Sequence, residues 1–358
     1  MNRRQAFIAA VLLLLTAALP VPDAGPASAP KAGASARPAG DDLPPPPLLG
    51  LDEVPVPESN PMTRPKIELG RMLFFEKRLS ADGTVACASC HMPSRGFSNG
   101  RQYGVGVNGR LGTRNVPTVV NAAYYTSQFW DGRAGSLEEQ AKGPILNGAE
   151  MASSEAHVVR TLSAIPAYRE AFRLAFGSEA VSLERVAQAI ATFERTLLSG
   201  DSPFDRWKFG QDASALSPAA VRGFEVFRGR AKCVKCHLVD EFSAPFSDNK
   251  FHNIGVGMDK NPPEIGREEV TKQPHDRGKF KTPTLREVTR TAPYMHDGRF
   301  ATLEEVIDFY DKGGHPNSNL DPDIVPLKLT KGEKEDMLAF LRSLEGKFPQ
   351  VAEPGGLR

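Results

Sequence analysis

The sequence predicts a mainly α protein built as two lobes that are related by an internal duplication. Three observations carry that expectation: helix-start signals recur along the chain, alternating β-branched runs with hairpin turns are scarce, and one segment is repeated far downstream. Trp130-Asp131-Gly132-Arg133 aligns with His296-Asp297-Gly298-Arg299 at an offset of 166 residues. The same offset lays Leu137-Glu138-Glu139 on Leu303-Glu304-Glu305 and Val116-Pro117-Thr118 on Thr282-Pro283-Thr284. Each copy therefore reads as a Pro-Thr turn, a loop, an Asp-Gly-Arg turn and a helix.

Taken in order, the chain opens with Arg3 and Arg4, an apolar run from Phe7 to Leu19 and small residues at Ala27-Ser28-Ala29. That is the layout of a secretory signal over residues 1–29, and the run is shorter than the ~20 residues of a comfortable membrane span. A cut near Ala24 fits almost as well, and an uncleaved anchor is the alternative. Residues 30–57 are dominated by Pro, Ala and Gly and read as a linker that buries too little apolar surface to order itself. The expected location is the periplasm, with no stable membrane span after cleavage. The remaining length suits two domains, expected over 58–205 and 206–350.

Within them, Ser136 with Glu139, Thr302 with Glu305 and Thr330 with Glu333 have capping-box spacing. Ser182 can cap a helix whose Leu183, Val186, Ile190, Phe193 and Leu197 recur at helical spacing, and Ser217-Pro218 opens another with proline at its first position. Lys plus Arg number 44 against 43 for Asp plus Glu, so no strong charge draws the chain to nucleic acid or an anionic membrane.

All four cysteines fall in Cys87-Ala88-Ser89-Cys90-His91 and Cys233-Val234-Lys235-Cys236-His237. Disulfides, a redox pair or half of a zinc site are the plainer readings of such pairs. Two copies of CxxCH behind an export signal point instead to covalent haem. Two thiols three residues apart reach the two vinyl groups of one porphyrin, and the adjoining histidine falls beneath the iron. The chain is thus expected to hold two c-type haems, with Cys87, Cys90, Cys233 and Cys236 as thioether sites and His91 and His237 as proximal ligands. The lobes become cytochrome c-like, with long loops over the haem faces.

The differences between the copies then acquire meaning. Each capped helix follows a haem site and is expected over that haem's open face, where residues four apart share a side. Gln140 and Pro144 share it in the first copy, Val306 and Tyr310 in the second. Proline has no donor atom for iron, which would leave the first haem five-coordinate and open to a small oxidant. Tyrosine ligates ferric iron as phenolate, which would make the second haem six-coordinate and suited to moving electrons. The plainer reading is that Pro144 ends a helix after Gly143 and Tyr310 packs. Met295 is the rival ligand to Tyr310, with His252, His275 and His315 weaker ones.

Splitting a peroxide needs a base that moves a proton from the inner to the outer oxygen, and Glu150 suits this if an apolar pocket raises its pKa. Gln140 could hold the peroxide by hydrogen bonds. Trp130 reads as an electron relay between the haems or as a core indole, and Trp207 as a surface relay or a packed aromatic.

The two CxxCH sites, the QFWDGR segment, LxEQxxGP followed by Glu150-Met151, and the APYMHDG segment together resemble the bacterial dihaem cytochrome c peroxidases and their MauG relatives. The likeness runs from about Pro61 to Phe348. It implies a peroxidatic N-terminal haem, a C-terminal haem that stores or delivers electrons, Trp130 between them, and Gln140 with Glu150 lining the peroxide pocket. It also implies a calcium ion bound by Asn115 and the backbone carbonyls of Thr291 and Pro293.

Two departures stand out. Typical peroxidases of the family carry a histidine in the loop after the first haem site, whereas here no histidine follows His91 until His157 and the stretch reads GVGVNGR. The first haem is therefore expected to be open even when fully oxidised. Those peroxidases also place methionine where this chain has Tyr310, while MauG has tyrosine there and proline at the position of Pro144.

The expected activity is reduction of hydrogen peroxide with electrons from a small periplasmic cytochrome or cupredoxin. The alternatives are MauG-like oxidation of residues on a partner protein, or a dihaem electron carrier without catalysis. Whether two chains pair as a homodimer is left open.

Overall fold

The computed structural model describes residues 43–355; the expected signal segment and the first part of the expected linker lie outside the described residues. The fold is mainly helical. Its helices are α1 (Arg64–Phe74), α2 (Cys87–Cys90), α3 (Leu137–Leu146), α4 (Glu155–Ser163), α5 (Pro166–Phe176), α6 (Leu183–Glu194), α7 (Pro203–Lys208), α8 (Pro218–Arg228), α9 (Glu268–Thr271), α10 (Leu303–Asp311) and α11 (Lys331–Arg342). Two short antiparallel strands, β1 (Phe251–His252) and β2 (Phe280–Lys281), place Phe251 opposite Lys281 and His252 opposite Phe280.

The expected caps are present. Ser136, Ser182, Ser217, Thr302 and Thr330 each accept an N–H from the residue three positions on, satisfying one of the orphan donors of a helix start. The box closes reciprocally at Thr302 and Thr330. At Ser136 the return bond slips by one residue, because Glu139 Oε2 accepts from Gly135 N at 2.7 Å.

Buried apolar residues gather into two large clusters. The first runs from Leu69 to Leu197 and is built where α1 packs on α5 and α6 and α3 packs on α6. The second runs from Phe204 to Leu344, with α8 packed on α11 and Phe204 ringed by Phe224, Phe246 and Phe340 at centroid distances of 5.0, 5.5 and 5.5 Å. A glycine lets the helices approach in each: a Cβ on Gly70 would overlap the Ala189 carbonyl, and one on Gly223 the Asp336 carbonyl.

Two boundaries differ from the sequence expectation. A cut after residue 205 would fall inside α7, whose Phe204 sits in the second cluster, and the C-terminal Phe348 and Val351 cross back to pack on the first. The last part of the expected linker is packed rather than loose. Leu51 and Val54 are buried among Ala122, Leu137, Ala191 and Leu198, and the Gly50 carbonyl accepts from Arg286 Nη2 at 2.7 Å and Ala244 N at 3.0 Å. Its leucines and valines find apolar surface that its proline-rich composition concealed.

The backbone follows the offset seen in the sequence. Gln128 bridges to Ala134 and Tyr294 to Phe300; Phe129 and Met295 both take left-handed φ values of 66° and 73°. One-turn 3₁₀ helices at Ala122–Tyr124 and Val288–Arg290 repeat at that offset too. Among the described residues, no helix is long and apolar enough to cross a membrane.

Candidate functional site

Each CxxCH closes on itself by one turn of helix. His91 N donates to the Cys87 carbonyl at 2.8 Å and His237 N to the Cys233 carbonyl at 2.9 Å, so each histidine is presented beside its own pair of thiols. All four cysteines are free. His91 Nδ1 pairs with the Phe97 carbonyl at 3.2 Å and His237 Nδ1 with the Phe246 carbonyl at 2.8 Å. With Nδ1 donating, Nε2 keeps its lone pair, the arrangement a metal-ligating imidazole adopts. Burial pushes both imidazole pKa values down, towards the neutral form that ligation needs.

Around the second motif lies a cavity of about 1820 Å³, its open mouth included. Cys233, Cys236, His237, Trp130, Met295 and Tyr310 line it, so Tyr310 of α10 shares one chamber with the thiols and the histidine. Burial, and then the charges of Cys233 and Cys236, push the Tyr310 phenol above its ordinary pKa. A phenol so placed stays neutral until a cation arrives to take its oxygen. Two thiols, one imidazole nitrogen and one phenol around an apolar chamber suit a covalently attached haem.

Met295 lines the same chamber and remains the other candidate ligand. The weaker rivals fall away. His252 has both ring nitrogens engaged, Nδ1 by Asp321 at 2.6 Å and Nε2 by Asp248 at 2.9 Å. His275 is exposed beside Asp276, and neither it nor His315 lines the chamber.

At the first motif, the loop read as GVGVNGR packs against Glu150: Val107 N donates to the Glu150 carbonyl at 2.8 Å. The carboxylate accepts from Asn147 Nδ2 at 2.7 Å. Burial raises its pKa, opposed by that hydrogen bond and by Arg133, and its charge in turn is felt at both Cys87 and Cys90. Pro144 does not end α3, which runs on to Leu146, and its carbonyl accepts from Met151 N at 3.2 Å. Gln140, one turn earlier, is half-buried on the same helix.

In the wall of the chamber at the second motif, Trp130 Nε1 donates to the Asn115 carbonyl at 2.9 Å, and the indole meets the His296 ring edge-on at 6.4 Å. His296 is stacked on Phe280 and bonded to Glu264 at 3.2 Å. Asn115, Thr291 and Pro293 line the same chamber. One amide oxygen and two carbonyls are hard donors of the kind calcium takes, although the ion wants 6–8 oxygens, roughly, and water would have to supply the rest. Trp207 packs against Phe204 and Phe224 at 6.0 and 5.9 Å in the second cluster.

Residues 64–213 match the family model described as di-haem cytochrome c peroxidase. The chain is 43% identical over 306 residues to the methylamine utilization protein MauG of Methylorubrum extorquens, covering 85% of this chain and 84% of that one. It is 39% identical over 336 residues to the cytochrome-c peroxidase IdrP1 of a Pseudomonas species, covering 85% and 87%. The chain belongs to the di-haem cytochrome c peroxidase family. A crystal structure of a MauG-like protein associated with microbial copper homeostasis superposes with a TM-score of 0.75 at 35% identity, over 83% of this chain and 94% of that one. As a member of the family, the chain is a haem oxidoreductase of the peroxidase type.

Sequence reasoning missed several charged groups that the peroxidase fold buries. Arg286 forms a bidentate ion pair with Asp205 at 2.8 and 2.9 Å, both side chains out of contact with water. Glu194 is buried near Cys87 with Oε2 lacking a partner among the described residues, and burial raises it to about 8. Lys281 is buried beside Trp130. For Glu194 the signal available was a carboxylate inside the apolar run AIATFERTLL, and it does not name the partner.

Proposed function

We propose that this chain is a periplasmic peroxidase of two duplicated lobes that reduces hydrogen peroxide at Cys87, Cys90 and His91. Electrons reach that site through the one at Cys233, Cys236 and His237, from a small cytochrome or cupredoxin. The observation that carries this reading is Glu150: a carboxylate raised in pKa by burial, held by Asn147, whose charge reaches the thiols of the first motif. When bound, haem iron supplies the redox chemistry, passing two electrons to peroxide as two protons yield two waters.

The protein's own part is positioning and proton transfer. Glu150 takes the proton from one peroxide oxygen and returns it to the other, so that the leaving oxygen departs as water. Gln140 orients the substrate through its amide. Pro144 offers no donor atom and keeps the approach open. Tyr310 would hold the iron of the second haem together with His237, Trp130 would carry electrons between the sites, and Asn115, Thr291 and Pro293 would hold calcium.

A second reading, MauG-like oxidation of residues on a partner protein, is favoured by Tyr310 in the chamber of the second motif. A phenolate lowers the potential of that haem relative to methionine and hampers electron uptake from an ordinary cytochrome. Turnover separates the two: rapid peroxide-dependent consumption of reduced cytochrome c supports the peroxidase, and negligible turnover supports protein oxidation. A spectrum unmoved by both cyanide and peroxide would overturn both in favour of a plain electron carrier.

A further inference from the structure

Lys281 presents a charge without a counter-charge. It lies on β2, is 7% exposed, and lines the chamber that holds Cys233, Cys236 and His237. Its Nζ donates to the Ser127 carbonyl at 2.8 Å and stands 3.5 Å from the centre of the Tyr125 ring. Both partners are neutral. The carboxylate whose charge reaches it, Asp131, is already held by Arg114 at 2.5 Å and Arg133 at 3.0 Å. The other cationic side chains of the wall are differently placed: Lys235 pairs with Asp323, His252 lies between Asp248 and Asp321, and Lys232 is exposed.

An ammonium taken out of water without an anion is strongly disfavoured, and burial lowers the Lys281 pKa to about 7. A second carboxylate at this point would restore the full charge. Haem brings two such carboxylates, its propionates, and they must find either solvent or a cation once the porphyrin is seated in a chamber with apolar walls. We infer that Lys281 is the counter-ion of a propionate of the haem attached at Cys233 and Cys236, an inference that rests on reading this chamber as the second haem site.

The first lobe lacks the device. At the offset of 166 residues Lys281 corresponds to Asn115, a neutral amide. Lys281 lines the chamber of the second motif, so its effect falls on the haem of that chamber. A fixed cation near the second iron favours its reduced state and opposes the electron-rich phenolate of Tyr310. The same strand also bonds the relay, because Lys281 N donates to the Trp130 carbonyl at 2.8 Å.

The test uses the full holoprotein with haem labelled by ¹³C at its propionate carboxylates, studied by redox-difference infrared spectroscopy and by potentiometry of each haem. In Lys281→Arg and Lys281→Met the labelled carboxylate bands should move relative to wild type. The second haem of Lys281→Met should lose electron affinity by about tenfold, ~59 mV for a one-electron couple. Lys281→Arg should restore most of it, and the first haem should not change. Labelled bands unmoved in Lys281→Arg would overturn the inference, as would a change of potential without movement of those bands, which would assign the pairing to another anion. If Lys281→Met fails to accumulate, the labelled bands of Lys281→Arg against wild type decide alone. Fewer than two haems per wild-type chain by mass would sink the underlying reading of the chamber instead.

Discussion

The indole of Trp130 donates its Nε1 hydrogen to the carbonyl oxygen of Asn115 at 2.9 Å. Asn115 N in turn donates to the His296 carbonyl at 2.7 Å, while Lys281 N donates to that of Trp130 at 2.8 Å. Residues 115 and 281 thereby each bond a backbone carbonyl 151 or more positions away, at His296 and Trp130. Trp130→Phe keeps a ring but loses the bond to Asn115. Electron exchange between the haems should slow at least about tenfold, as followed by stopped-flow absorbance with haem content unchanged. An unaltered rate would return Trp130 to a packing role.

Glu150→Gln should lower the rate of reaction with peroxide by roughly 10²–10⁴-fold, the usual worth of a positioned acid–base group. Burial lifts the Glu150 pKa above its ordinary 4.5, so the base form appears only as pH rises through that lifted value. The acid limb of the pH–rate profile should therefore have its midpoint above 4.5 in the wild type and be missing in the variant. Identical profiles would remove Glu150 from the chemistry.

Electron paramagnetic resonance of the fully oxidised protein should give a high-spin ferric signal beside a low-spin one. Tyr310→Met should alter only the low-spin signal, because Tyr310 shares the chamber of Cys233, Cys236 and His237. Two low-spin signals indifferent to the substitution would refute both the open first haem and tyrosinate ligation, and would promote Met295.

The pair between Arg286 and Asp205 is buried on both sides and ties α7 to the segment after β2. Arg286→Met strands the carboxylate and should cost about 3–5 kcal/mol of stability. Adding Asp205→Leu should recover a good part of that loss, measured as the midpoint of chemical unfolding. A single variant as stable as wild type would contradict this account.

Glu194 is 4% exposed and its pKa is raised from 4.5 to about 8 by burial, partly offset by Arg195. A folded-state pKa above the unfolded one means stability that is complete below about 4.5 and is lost as pH rises towards about 8. Melting temperature should thus fall across that window in the wild type and stay nearer level in Glu194→Gln. Parallel curves would show that the carboxyl is solvated or paired.

Much of the scaffold was legible in local sequence. Ser182, Ser217, Thr302 and Thr330 cap the helices they were read to cap, since a cap needs only a hydroxyl and an N–H three residues away. The histidines of both CxxCH motifs stand beside their thiols for the same reason of short range. The reading of Pro144 as a helix stop was too local, because α3 continues past it. The packed stretch from Leu48 was hidden by its proline-rich composition, and the lobe boundary by α7 running across the expected cut.

What the sequence determined alone was where the thiols and their histidines lie, which stretches become helix, and that one pattern occurs twice. Each is written in residues a few positions apart, within reach of a single turn of backbone. Only the tertiary structure decided that Tyr310 shares a chamber with His237, that His252 is held by Asp321 at a separation of 69 residues, and that Lys281 meets Ser127 across 154. Burial and the balancing of charge depend on which distant segments exclude water together, and no spacing along the chain records that.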